Sequence, residues 1–97
     1  MSVHRYQVVD PPTLDAFLEH LADVVRHGIP LRVTATPEAD ELSARRDEEP
    51  KEPTLCFRLY ELTTRPWSVR AQRIDTNEWA TFTYDEEKEV IILEEVS

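Results

Sequence analysis

The sequence predicts an α+β fold: one amphipathic helix packed on a mixed, mostly antiparallel sheet of five or six strands, ordered β-α-β and then a four-stranded meander, with a long acidic loop between the two parts. Three observations carry this. Residues 54–96 contain four runs of alternating or β-branched apolar residues separated by short polar connections. Residues 14–25 place apolar side chains at three- and four-residue steps. A chain of 97 residues supports one modest core, so residues 1–97 are expected to form a single domain.

Residues 3–9 predict the first strand, with His4, Tyr6 and Val8 on one face and Val3, Arg5, Gln7 and Val9 on the other. Pro11 and Pro12 stop it, because proline cannot continue a ladder but can open a helix. Thr13 is the expected N-cap, Asp15 suits the positive end of the helix dipole, and Gly28, the only glycine, suits the residue just past the helix end. Leu14, Phe17, Leu18, Leu21, Val24 and Val25 form the apolar stripe, expected to lie across the inner face of the meander. Leu31, Val33 and Ala35 predict a short strand returning to the sheet. It reads either as a parallel neighbour of the first strand, with a right-handed crossover, or as an antiparallel strand at the opposite edge.

Residues 37–53 break the pattern. They hold seven acidic and three basic residues, three prolines and Leu42 as their one large apolar group, the composition of a solvated, mobile insertion loop. Thr36, Pro37 and Glu38 also resemble a helix start from which Leu42 would anchor on a partner, but the loop reading is preferred.

In the meander, parity fixes the faces, since a slip of one residue turns a strand over. Placing Ile74 opposite Trp79, Tyr84 opposite Glu89, and Thr63 opposite Trp67 puts Leu55, Phe57, Leu59, Trp67, Val69, Ala71, Ala80, Phe82, Tyr84, Ile91 and Leu93 on one face, the expected core. The other face carries Cys56, Arg58, Tyr60, Arg70, Gln72, Ile74, Trp79, Val90 and Ile92, with Ser68, Thr81 and Thr83. Aromatics, aliphatics and arginines without lysine resemble the centre of an interface more than a solvated face. The expected contact surface is Arg58, Tyr60, Arg70, Ile74, Trp79 and Ile92. The plainer alternative is that another part of the chain covers this face.

The formal charge of −9 disfavours nucleic acid and anionic membrane as partners, which lysine and arginine clusters recognise. No apolar run reaches membrane-spanning length and no leader is recognisable, so a cytoplasmic, membrane-free protein is the default expectation. A single Cys56 makes no disulfide within the chain and no cysteine cluster for zinc. Charge is unevenly spread: Arg58, Arg65, Arg70 and Arg73 stand against Glu61 in residues 55–74, whereas residues 85–95 hold six acids against Lys88. The two regions either orient a partner or neutralise each other.

No chemistry-bearing constellation emerges. His20, Asp23 and His27 share the polar side of the helix, but the histidines are two turns, about 10 Å, apart and no further ligand can be named. Cys56 lacks a nearby base. Asp85, Glu86, Glu87, Glu94 and Glu95 sit on a turn and near the terminus, where carboxylates are normally solvated. No catalytic residue, metal or cofactor is therefore expected. The sequence reads as a small acidic, non-enzymatic module that binds a protein or a second copy of itself, as a homodimer, through the outer face of its sheet. Three other readings are kept: an acidic mimic of nucleic acid that inhibits a basic partner, a small-molecule-binding or enzymatic domain with a pocket between helix and sheet, and, ranked below these, a base-stacking platform around Tyr60 and Trp79.

Overall fold

The computed structural model describes residues 3–37, 53–64 and 67–96. The chain runs β1 (Val3–Asp10), α1 (Leu14–His27), β2 (Leu31–Pro37), β3 (Thr54–Thr64), β4 (Trp67–Arg73), β5 (Trp79–Asp85) and β6 (Val90–Val96). Each strand pairs with the next and β1 pairs with β6, so the six strands close into a barrel. All of these pairings are antiparallel.

This overturns the α+β expectation of an open sheet under a helix, and with it the mixed sheet. The first strand is neither parallel to the second nor at an opposite edge. β1 lies antiparallel between β2 and β6, with Val8 opposite Ala35 on one side and Ile91 on the other. The physical reason is the size of the apolar face. Closed on itself, the sheet covers its own inner surface, and the helix is left with only one end of the barrel to plug.

The helix stripe divides accordingly. Phe17, Leu21 and Val24 are buried, while Leu18 and Val25 are exposed. Phe17 packs on Trp67 and Phe82 at ring centroid distances of 5.6 and 5.4 Å, and Phe82 meets Phe57 edge-on at 5.1 Å. Thr13 caps the helix, its Oγ1 accepting from the Ala16 amide at 3.2 Å, and Gly28 ends it at φ +62°, a left-handed conformation that suits glycine. α1 runs from the end of β1 to the start of β2, so it covers the pole shared by the β3–β4 and β5–β6 connections. The start of β1, the end of β2, the start of β3, the β4–β5 turn and the end of β6 belong to the opposite pole.

The expected core face is the inner face of the barrel. Leu55, Phe57, Val69, Ala71, Ala80, Phe82, Ile91 and Leu93 are buried, with Leu59, Trp67 and Tyr84 packed against them. Two hairpin registers differ from expectation by two residues, which preserves the faces. Gln72, not Ile74, stands opposite Trp79, and Ile91, not Glu89, stands opposite Tyr84. Each turn is longer than a tight hairpin. In one, the Arg73 amide donates to Glu78 O at 2.8 Å and Asn77 adopts φ +62°. In the other, Asp85 Oδ1 accepts from the amides of Glu87 and Lys88 at 3.0 and 3.2 Å.

In β3–β4 the expected Leu59–Ala71 pair holds, but an irregularity between Leu59 and Glu61 leaves Tyr60 as an extra residue. Beyond it Leu62 faces Val69, and Thr64 rather than Thr63 faces Trp67. The acidic loop expected over 37–53 also begins later, because Thr36 and Pro37 are strand residues, paired with Gln7 and Tyr6. A helix start at Thr36 is thereby excluded, and the reading of Leu42 as an anchor lies outside the described residues.

Candidate functional site

The outer surface of β3, β4 and β5 is the candidate site. Its geometry starts at the bulge. As the extra residue, Tyr60 projects outward, where its hydroxyl donates to Gln72 Oε1 at 3.1 Å and its ring meets Trp79 edge-on at 4.9 Å. Gln72 is held in turn by a bond from its Nε2 to Asn77 O at 2.9 Å. The Arg70 guanidinium lies 4.5 Å from the centroid of the Trp79 ring, a cation–π distance. Tyr60, Glu61, Arg70 and Trp79 line a shallow depression of 270 Å³. Tyr60 remains 50% exposed and Trp79 39%, so rings fixed by their neighbours still present much of their area to solvent.

Of the six residues expected at the contact surface, Tyr60, Arg70 and Trp79 form this cluster. Arg58 is exposed beside it, opposite Gln72. Ile74 leaves the ladder because of the register difference. It is exposed at the β4–β5 turn, where its amide donates to Cys56 O at 3.1 Å. Ile92 is only 5% exposed and offers almost no area.

Two residues not expected here extend the surface. Trp79 stands opposite Val96, and Val96 opposite Val3, so a row runs outward from Gln72 through Trp79 and Val96 to Val3. All three apolar members of that row are exposed. The shorter hairpin assumed from sequence would have set Trp79 opposite Glu94, which hid this continuation.

The neighbouring row is charged. Glu61 faces Arg70, Arg70 faces Thr81, Thr81 faces Glu94, and Glu94 faces Arg5 at a 3.9 Å ion-pair distance. The basic and acidic regions thus neutralise each other in part across the sheet.

A buried link lies at the pole opposite α1. Glu95 is 2% exposed, not solvated as expected for a residue near the terminus, because alternation in β6 puts it on the inner face with Leu93 and the β5–β6 register sets it opposite Ala80. Arg73 Nη1 donates to both of its carboxylate oxygens, at 3.3 and 3.2 Å, while Arg73 Nε lies 2.7 Å from Asp75 Oδ1. Burial raises the Glu95 pKa, with Glu78 adding to it, and outweighs the opposing pull of Arg73 and of His4. For Arg73 burial works the other way, against the charge, but Glu95 and Asp75 outweigh it and the guanidinium is held charged. The two ends of the pair differ because Arg73 keeps part of its side chain in solvent.

The expected metal and thiol candidates lie apart from this site. His20 docks the helix: its Nε2 lies 3.0 Å from the Arg32 carbonyl and 3.3 Å from the Arg32 amide. No group of three or more possible metal ligands occurs among the described residues. Cys56 is a half-buried free thiol. Of the acids Glu86, Glu87, Glu94 and Glu95, the last is buried and adds no charge to the surface, and the carboxylates of residues 38–52 lie outside the described residues. Among the described residues no helix is long and apolar enough to cross a membrane.

The arrangement defines the class as a closed antiparallel six-stranded barrel plugged by one helix, with an aromatic–arginine cluster on its outer wall. The chain matches no protein-family model, and neither a curated protein nor a solved structure matches it.

Proposed function

We propose that this protein is a binding module that docks a protein, or a second copy of itself, on the outer wall of its barrel through Tyr60, Arg70 and Trp79, flanked by Arg58, Val96 and Val3. One observation carries this reading: Trp79 is fixed between the Arg70 guanidinium and the Tyr60 ring while staying 39% exposed. Tryptophan, tyrosine and arginine dominate the energetics of interfaces, and side chains already held in place lose less entropy on binding. The guanidinium uses its face on Trp79, which leaves in-plane N–H groups for a partner.

The test is the solution mass of the chain by size exclusion with light scattering over a range of concentrations, for the wild type and the Tyr60→Ala/Trp79→Ala double variant. Self-association that the double variant abolishes, with an unchanged thermal transition, supports docking of a second copy. A wild type that stays monomeric removes the self-association half, and pull-downs that capture a protein with wild type but not with the double variant then test the other half. An unfolded double variant, or association indifferent to it, defeats the reading.

A further inference from the structure

The apolar stripe of α1 is wider than the barrel mouth it plugs, and the surplus has a definite shape. Leu18, Leu21, Ala22 and Val25 of the helix face Leu59 and Leu62 of β3 across a groove of 440 Å³, with Arg26 as its one charged lining residue. The groove depends on the bulge at Tyr60. Were Tyr60 a regular member of the ladder, parity would turn Glu61 rather than Leu62 toward the helix. Leu18, Leu62 and Val25 are exposed, Val25 at 70%.

Size argues for the kind of occupant. A stable protein interface takes roughly 20–30 residues a side, and this groove offers seven. Its volume instead falls within the roughly 300–1,000 Å³ of sites for small ligands, which are mostly apolar with a few polar groups that set orientation. Charge argues for its chemistry. The chain carries a net −9, yet the charge on this groove is Arg26, which has no ion pair with the described residues. A guanidinium beside a hydrocarbon wall suits an alkyl chain ending in a carboxylate.

We propose that the groove between α1 and β3 binds an unbranched alkyl carboxylate, its chain lying along Leu18, Leu21, Val25, Leu59 and Leu62 and its carboxylate on Arg26. This site is separate from the Tyr60–Trp79 surface and does not depend on it.

The experiment titrates the full chain with decanoate, decanol and decylamine below their micellar concentrations, following the methyl resonances of Leu18, Val25 and Leu62. Decanoate should bind, with shifts at those methyls, and more tightly than decanol by roughly tenfold, the worth of one charge-assisted hydrogen bond. Arg26→Gln should bring decanoate down to the affinity of decanol. Ala22→Trp, at an exposed helix position, should fill the groove and abolish binding of both while leaving the thermal transition in place. Absence of saturable binding, equal affinity for all three compounds, shifts centred elsewhere, or an Arg26→Gln variant that still prefers decanoate would each overturn the proposal. If Ala22→Trp unfolds, Val25→Gln takes its place and should weaken binding.

Discussion

Arg73 and Glu95 meet inside the pole of the barrel farthest from the helix, Nη1 lying 3.2 Å from a carboxylate that is almost wholly buried. They come from the ends of β4 and β6, strands that do not touch each other, so the pair spans β5 and joins the basic and acidic parts of the sequence.

The raised pKa of Glu95 gives stability a pH dependence with a definite sign. The folded state holds the proton more tightly than the unfolded chain, whose glutamates titrate at roughly 4.3. The contribution is fully present below that value and is lost as pH rises through the raised one. Glutamine at 95 mimics the protonated form, so the stability of Glu95→Gln relative to wild type should grow between acid and neutral pH. Urea midpoints measured at several pH values check this, and parallel profiles would refute it.

Removing the cation should be worse than removing both partners. Arg73→Met leaves a buried carboxylate without its counter-charge and should cost roughly 3 kcal/mol at neutral pH. Adding Glu95→Gln should recover a good part of that loss, a coupling that a double-mutant cycle in urea measures directly.

The plug should be local and unequal along the helix. Phe17→Ala empties a site between Trp67 and Phe82 and should cost about 3–5 kcal/mol. Thr13→Ala removes the cap, about 1 kcal/mol. Leu18→Ala, on the exposed part of the stripe, should cost less than about 1 kcal/mol. Thermal or urea unfolding ranks the three.

The bulge can be separated from the side chain it carries. Tyr60→Ala keeps the extra residue and should lose only surface contacts with Gln72 and Trp79. Deleting Tyr60 removes the unpaired residue and leaves Leu59, Glu61 and Leu62 opposite Ala71, Arg70 and Val69, so Glu61 should stay outward and Leu62 inward. The deletion should therefore unfold within about 1 kcal/mol of the substitution, since neither change moves a side chain to the other face, and a much larger loss in the deletion would refute this. Comparison of the two unfolding midpoints decides it.

The faces of the meander were legible because alternation has only two solutions, and Phe57, Val69, Phe82 and Leu93 could belong to one of them alone. The helix was legible from its cap, stripe and glycine. Register was less so, since a shift of two residues leaves every face unchanged. Only the Arg73–Glu78 and Asp85–Lys88 turns settle it, and with it the pairing of Glu95 with Ala80 and the outward Trp79–Val96 contact. Closure was not legible because nothing in residues 3–9 states that one strand serves two neighbours, and an open sheet under a helix satisfies the same periodicity. The Tyr60 bulge left no signal, because Tyr60 fits its neighbours' alternation.

The seam between the first and last strands also orders events during synthesis. β1 emerges first, pairs on one side with β2, and must then wait for Val90–Val96 before its second edge is satisfied. Until then the nascent chain presents two open strand edges and an uncovered apolar lining, the features that invite misassociation. Closure is thus a single late event spanning nearly the whole chain, and loss of the final strand leaves no smaller barrel to fall back on.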